Sequence, residues 1–188
     1  MSVAEAVQSI RSAWRLAMLD TSGMNGFNLT VEGFWRSYLV YLFLFPAYLL
    51  MVLTPIRIDT VAMETLVLAK LVSFAVRIVA STVLLALLCR LLNVGERFVG
   101  LIVAGNWGFV IQVAIWLPVA LLASRGLLVG RIGGIVQTAA LLAVLFYAWF
   151  ITRTALGIGG LAALGVIVAD ELSSELISTL IDRMFGVP

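Results

Sequence analysis

Arg77 and the amides Asn106, Gln112 and Gln137 are the residues of this chain that can do chemistry inside an otherwise apolar sequence. An arginine at membrane depth costs about 2.5–3.5 kcal/mol on insertion scales, so it normally faces a bundle interior or a wet cavity. There it binds an anionic head group or pairs with a carboxylate, and Glu64, Asp170, Glu171 and Glu175 are the available counter-ions. The plainer alternative is snorkelling, because Arg77 lies within reach of the polar end of its segment. Amides in apolar segments bond between helices for about 0.6 kcal/mol each, which orients packing more than it stabilises it. A row of them can also line a solute path.

Other chemistry is scarce. The chain has no histidine, which removes the commonest general base and metal ligand. Cys89 stands alone, so neither an intramolecular disulfide nor a thiolate cluster can form. Phosphate loops, nucleophile elbows and metal-ligand spacings are missing. Asp170 and Glu171 are adjacent, so on a helix they point in different directions and do not make a catalytic pair. These features predict a non-catalytic protein with no cofactor and no metal. The net charge of +2 is scattered, which argues against a nucleic-acid partner.

The elements that must position these residues are spanning helices. Hydrophobic types make up 63% of the 188 residues and charged ones 12%. A spanning helix needs about 20 apolar residues. Runs of that kind predict spans over 34–54, 66–92, 98–123 and 132–152, with Pro46 and Pro118 as kink sites in the first and third. A fifth apolar run, 155–169, is short; it predicts a fifth span, with a re-entrant helix as the alternative. The expected fold class is therefore an all-α membrane bundle of five helices. Residues 30–169 form that bundle, between an N-terminal interfacial segment (1–29) and a C-terminal amphipathic helix (170–188).

Within 3–19, Val3, Val7, Ile10, Trp14 and Ala17 share a helical face, while Gln8, Arg11, Ser12 and Arg15 lie away from it. A tryptophan on the apolar side and arginines on the polar side predict a helix lying on the membrane, with Arg11, Trp14 and Arg15 as anchors. A helix packed on the protein's own spans is the alternative. The paired arginines also tip a nearly balanced charge distribution toward a cytoplasmic N-terminus in the inner membrane.

Small residues recur at four-residue spacing: Gly100, Ala104 and Gly108; Gly126, Gly130 and Gly134; Ala155, Gly159 and Ala163. Such stripes let helices approach closely, within one bundle or against a partner. The first two are the expected packing or partner faces.

Phe34-Trp35 heads the first span, and Tyr147-Ala148-Trp149-Phe150 precedes Thr154-Ala155-Leu156-Gly157 and the small-residue run to Ala163. With five closely spaced spans, this layout over residues 30–180 resembles the Yip-type (Ypt/Rab-interacting) membrane proteins, in particular their bacterial relatives. The Asp-Leu-Tyr-Gly-Pro element of the eukaryotic members is missing, so the resemblance implies no GTPase-binding site. The expectation is an accessory or scaffolding subunit that binds lipids, other membrane proteins or a second copy. A small transporter or channel, with Arg77, Asn106, Gln112 and Gln137 along its path, is the alternative.

Overall fold

The computed structural model describes residues 1–53 and 62–187. Arg57 and Asp59, in the expected connection between the first two spans, lie outside the described residues. The described elements are helices: α1 (Val3–Ala17), α2 (Val31–Ser37), α3 (Leu39–Leu53), α4 (Met63–Leu91), α5 (Phe98–Ser124), α6 (Gly130–Leu156) and α7 (Gly160–Met184). Short 3-10 turns precede α2 and α5. Four segments are long and apolar enough to cross a membrane: Val31–Met51, Met63–Leu91, Gly95–Ser124 and Gly130–Leu156. The chain is a multi-pass membrane protein of all-helical architecture.

Local sequence explains where these helices begin and end. Thr30 caps α2 by accepting the Gly33 N–H at 3.1 Å, with Glu32 in the first turn. Asp20 caps the turn after α1 in the same way, accepting the Ser22 N–H at 2.9 Å. At the end of α6, Gly157 adopts a left-handed conformation (φ +61°), which suits a residue without a Cβ. Arg97 then donates to the Leu156 carbonyl at 2.6 Å and satisfies one of the carbonyls that the helix end leaves open.

The core centres on α5, whose first half is almost wholly buried. Gly100, Ala104 and Gly108 lie on this half. A Cβ on Gly108 would stand 2.5 Å from Ile151 Cδ1 of α6, so this stripe is consumed by packing within the chain. The second stripe is not a helix face. Gly126 lies in the α5–α6 connection and Gly130 opens α6, both with positive φ (+69° and +62°), and Gly134 lies exposed with open space around it. Likewise Gly159 caps the start of α7 and does not continue a face from Ala155.

Helix α1 turns a narrow face of Ser9, Ser12, Ala13 and Leu16 onto α5 and α6, where the Tyr147 hydroxyl donates to the Ala13 carbonyl at 2.8 Å. Ser12, read from sequence as outward, is buried because its small side chain permits close approach. The larger apolar residues expected to face the membrane do point outward: Val3 is 81% exposed and Trp14 56%. Glu5 fastens the start of this helix, accepting from Asn28 at 2.9 Å and pairing with Arg36 at 3.0 Å.

Helix α7 runs without a break through the boundary expected at 169/170. It lies antiparallel along α4. Near the start of α4, Lys70 pairs with Asp182 late in α7; about three turns further along α4, Ser81 meets Asp170, about three turns back along α7. Phe185 and Val187 close the same end against Leu66 and Ala69.

Candidate functional site

Helices α4 and α7 meet through polar stripes. On α4, Lys70, Ser73, Arg77 and Ser81 recur every three or four residues, and on α7 Asp170, Ser174, Ser178 and Asp182 recur every four. Both spacings place the residues on one helical face. The opposite side of α4 shows Val79, Val83 and Leu87 outward. In lipid this is the stable arrangement: apolar side chains face out, and polar ones find partners inside.

At the Lys70 end the stripes are saturated. Lys70 is 7% exposed, and its ammonium donates to both carboxylate oxygens of Asp182, at 2.8 and 2.7 Å. Toward the middle they are not. Here α4 packs mainly on α7 and only sparsely on α3 and α5, leaving a cleft between them. Two lobes of about 160 and 180 Å³ share Tyr41, Ser81, Gln112, Asp170 and Glu171 along their walls. Each is far larger than the roughly 10–15 Å³ that one water requires.

Arg77 borders the second lobe beside the Tyr48 hydroxyl, and Asp170 and Glu171 lie within the field of its guanidinium. No ion pair closes on Arg77 among the described residues. Its Nε, the Asp170 Oδ1 and the Ser73 hydroxyl are all buried without a hydrogen-bond partner. Orphaned buried donors and acceptors each cost about 1–3 kcal/mol, more when charged. A donor and an acceptor left open at one cleft are a standing demand for a ligand or for water.

Aromatic rings wall the cleft. Tyr48 and Phe74 lie 4.5 Å apart, and Tyr41 and Phe109 5.3 Å. The floor is held by a polar chain: Tyr41 donates to Asn106 Oδ1 at 2.8 Å, and Asn106 Nδ2 donates to the Ser37 hydroxyl at 2.8 Å.

Of the residues singled out in the sequence, the fold brings Arg77, Asn106, Gln112, Asp170 and Glu171 to this cleft, whereas Glu64 and Glu175 line neither lobe. Gln137 is elsewhere, exposed on α6 and bonded to the Gly133 carbonyl of its own helix. Arg11, Trp14 and Arg15 border a shallow depression between α1 and Ile111. Sequence reasoning missed Tyr41, Tyr48 and Ser81, and it missed the Lys70–Asp182 pair. The signal was available as two polar stripes of matching period on separate helices. Among the described residues no group of three or more His, Cys, Asp or Glu side chains could hold a metal ion.

No family model, no curated protein and no solved structure matches this chain. The functional reading therefore stands on the geometry of the cleft.

Proposed function

We propose that this is a non-catalytic inner-membrane protein of five crossings that holds a lipid head group or a small polar solute in the cleft between α3, α4, α5 and α7. One observation carries the reading: Arg77 and Asp170 line the same lobe, and Arg77 Nε and Asp170 Oδ1 are each buried without a hydrogen-bond partner. Packing alone does not retain such a pair, since neutral residues of similar volume would cost less. The fifth crossing is α7, which keeps register with α4 from Lys70 to Ser81 and so shares its depth. Two of its carboxylates meet α4, Asp182 through Lys70 and Asp170 through Ser81. Five crossings also match the layout of the Yip-type proteins that the sequence resembles. The N-terminus is cytoplasmic, and the exposed apolar face of α1 rests in the interface of that leaflet.

A role as accessory subunit is the second reading, and the outward face of α1 is what favours it. The glycine stripes lend it less support, since Gly108 is packed inside and Gly126 and Gly130 serve a turn. Purification in a mild detergent followed by native mass spectrometry separates the two. The binding reading expects a retained small molecule on the wild type that Arg77→Gln loses. A stoichiometric protein partner whose retention ignores Arg77→Gln would replace it with the accessory reading.

A further inference from the structure

We infer that the ligand of the cleft is a zwitterion, carrying a primary ammonium and an acidic oxyanion on one short chain. The inference rests on the binding reading above and deepens it. Charge is the first argument. Lys70 and Asp182 neutralise each other in a direct pair, which leaves one guanidinium, Arg77, against two carboxylates, Asp170 and Glu171. A purely anionic ligand would meet both carboxylates at close range, and like charges there repel. A purely cationic one would meet Arg77.

The open hydrogen-bonding groups sharpen the choice. Arg77 Nε is a donor that needs an acceptor, and Asp170 Oδ1 is an acceptor that needs a donor. An oxyanion satisfies the first and an N–H satisfies the second. The two carboxylates border both lobes, whereas Arg77 borders only one. The ligand therefore lies with its acid group in the Arg77 lobe and its ammonium at the shared wall. That wall also presents Tyr41 and Phe109, whose ring faces attract a cation. A quaternary ammonium would keep the ring contact but has no N–H to give Asp170. Methylation of the nitrogen should therefore abolish binding, which an ordinary cation–π cage would not predict.

A phosphoethanolamine head group and a free amino acid both have this chemistry. The test uses the full chain in nanodiscs of equal parts phosphatidylethanolamine, phosphatidylcholine and phosphatidylglycerol, read by native mass spectrometry of retained lipid. The lipid source predicts about a tenfold or greater enrichment of phosphatidylethanolamine over the other two. Both Arg77→Gln and Asp170→Asn should reduce it to the bulk ratio, while Gln137→Ala leaves it intact. A parallel arm in phosphatidylglycerol nanodiscs adds glycine or O-phosphoethanolamine and follows thermal unfolding; stabilisation there, without lipid enrichment, assigns the same chemistry to a free solute. Retention of phosphatidylcholine equal to that of phosphatidylethanolamine overturns the primary ammonium, and equal retention of phosphatidylglycerol overturns the zwitterion; either keeps a binding protein. If neither lipid nor solute binds the wild type, the binding reading itself falls. The wild-type preference stands as a test even if a variant fails to fold.

Discussion

Lys70 and Asp182 stand 112 positions apart in the chain and form the one doubly bonded ion pair among the described residues, with Nζ–O distances of 2.8 and 2.7 Å. Both side chains are largely withdrawn from the surface. Removing one member strands the other in a low-dielectric site, whereas replacing both with apolar residues removes the demand. Lys70→Met or Asp182→Leu alone should therefore cost about 3–5 kcal/mol, and the double variant should recover most of it. Unfolding in detergent measures this. Single variants that unfold at the wild-type midpoint would mean the pair is exchanged with water or lipid head groups.

Glycine positions separate inner from outer faces. A leucine at Gly108 would drive into Ile151 and Tyr147, so Gly108→Leu should destabilise by about 1–3 kcal/mol. At Gly134 the added side chain meets nothing, and Gly134→Leu should change stability by less than about 0.5 kcal/mol. Comparing the two melting curves tests the assignment. If Gly134→Leu instead dissociates a dimer or releases a co-purified protein, that face is a partner surface after all.

The fastening of α1 should weaken in acid. The Asn28 amide bonded to Glu5, with the Arg36 guanidinium beside it, holds the Glu5 carboxyl below its ordinary range. Ser22 and Arg15 do the same for Asp20. A depressed carboxylate stabilises the fold above its unfolded pKa, and the contribution is lost as pH falls through the folded one. Hydrogen exchange of the α1 amides should therefore be flat from pH 7 to about 5 and, after correction for intrinsic rates, rise below about 4.5. Glu5→Gln should raise exchange at pH 7 and flatten the response. An unchanged acid response in Glu5→Gln assigns the effect to Asp20 or elsewhere.

How much of this was legible in the sequence depends on what each residue needed in order to be interpreted. Four apolar segments were readable because length and composition suffice for a span. Arg77 was readable because a charge in such a segment has few uses. Lys70 was not, since its counter-ion lies 112 positions away and only the fold brings Asp182 to it. The pattern of 170–188 predicts a separate amphipathic helix after the bundle, and such a helix at a membrane surface turns its polar face to water. Beside α4 the same pattern has the opposite sense, its polar face inward against Lys70, Arg77 and Ser81. Period alone cannot tell these cases apart; a matching polar stripe on a second helix can. The glycines at 126, 130 and 134 misled for a related reason, since spacing of four marks a face only where the backbone is helical, and Gly126 and Gly130 are left-handed.

The depth of α7 is open to direct test. Its start lies beside the end of α6, where Trp149 Nε1 donates to the Gly160 carbonyl at 2.9 Å and Arg97 reaches Leu156. Its end packs at the opposite end of α4, where Val187 meets Leu66. Its 25 residues extend about 37 Å, enough for a hydrocarbon layer of about 30 Å. With Cys89 replaced by serine, cysteines at Gly159 and Met184 should label from opposite faces of sealed vesicles with a membrane-impermeant maleimide. A five-crossing chain with a cytoplasmic N-terminus predicts that Met184→Cys labels from the periplasmic side and Gly159→Cys only after permeabilisation of spheroplasts. Labelling of both from one side would make α7 a surface or re-entrant helix. The polar cleft would then open to water at that side, and Arg77 would need no membrane-buried ligand.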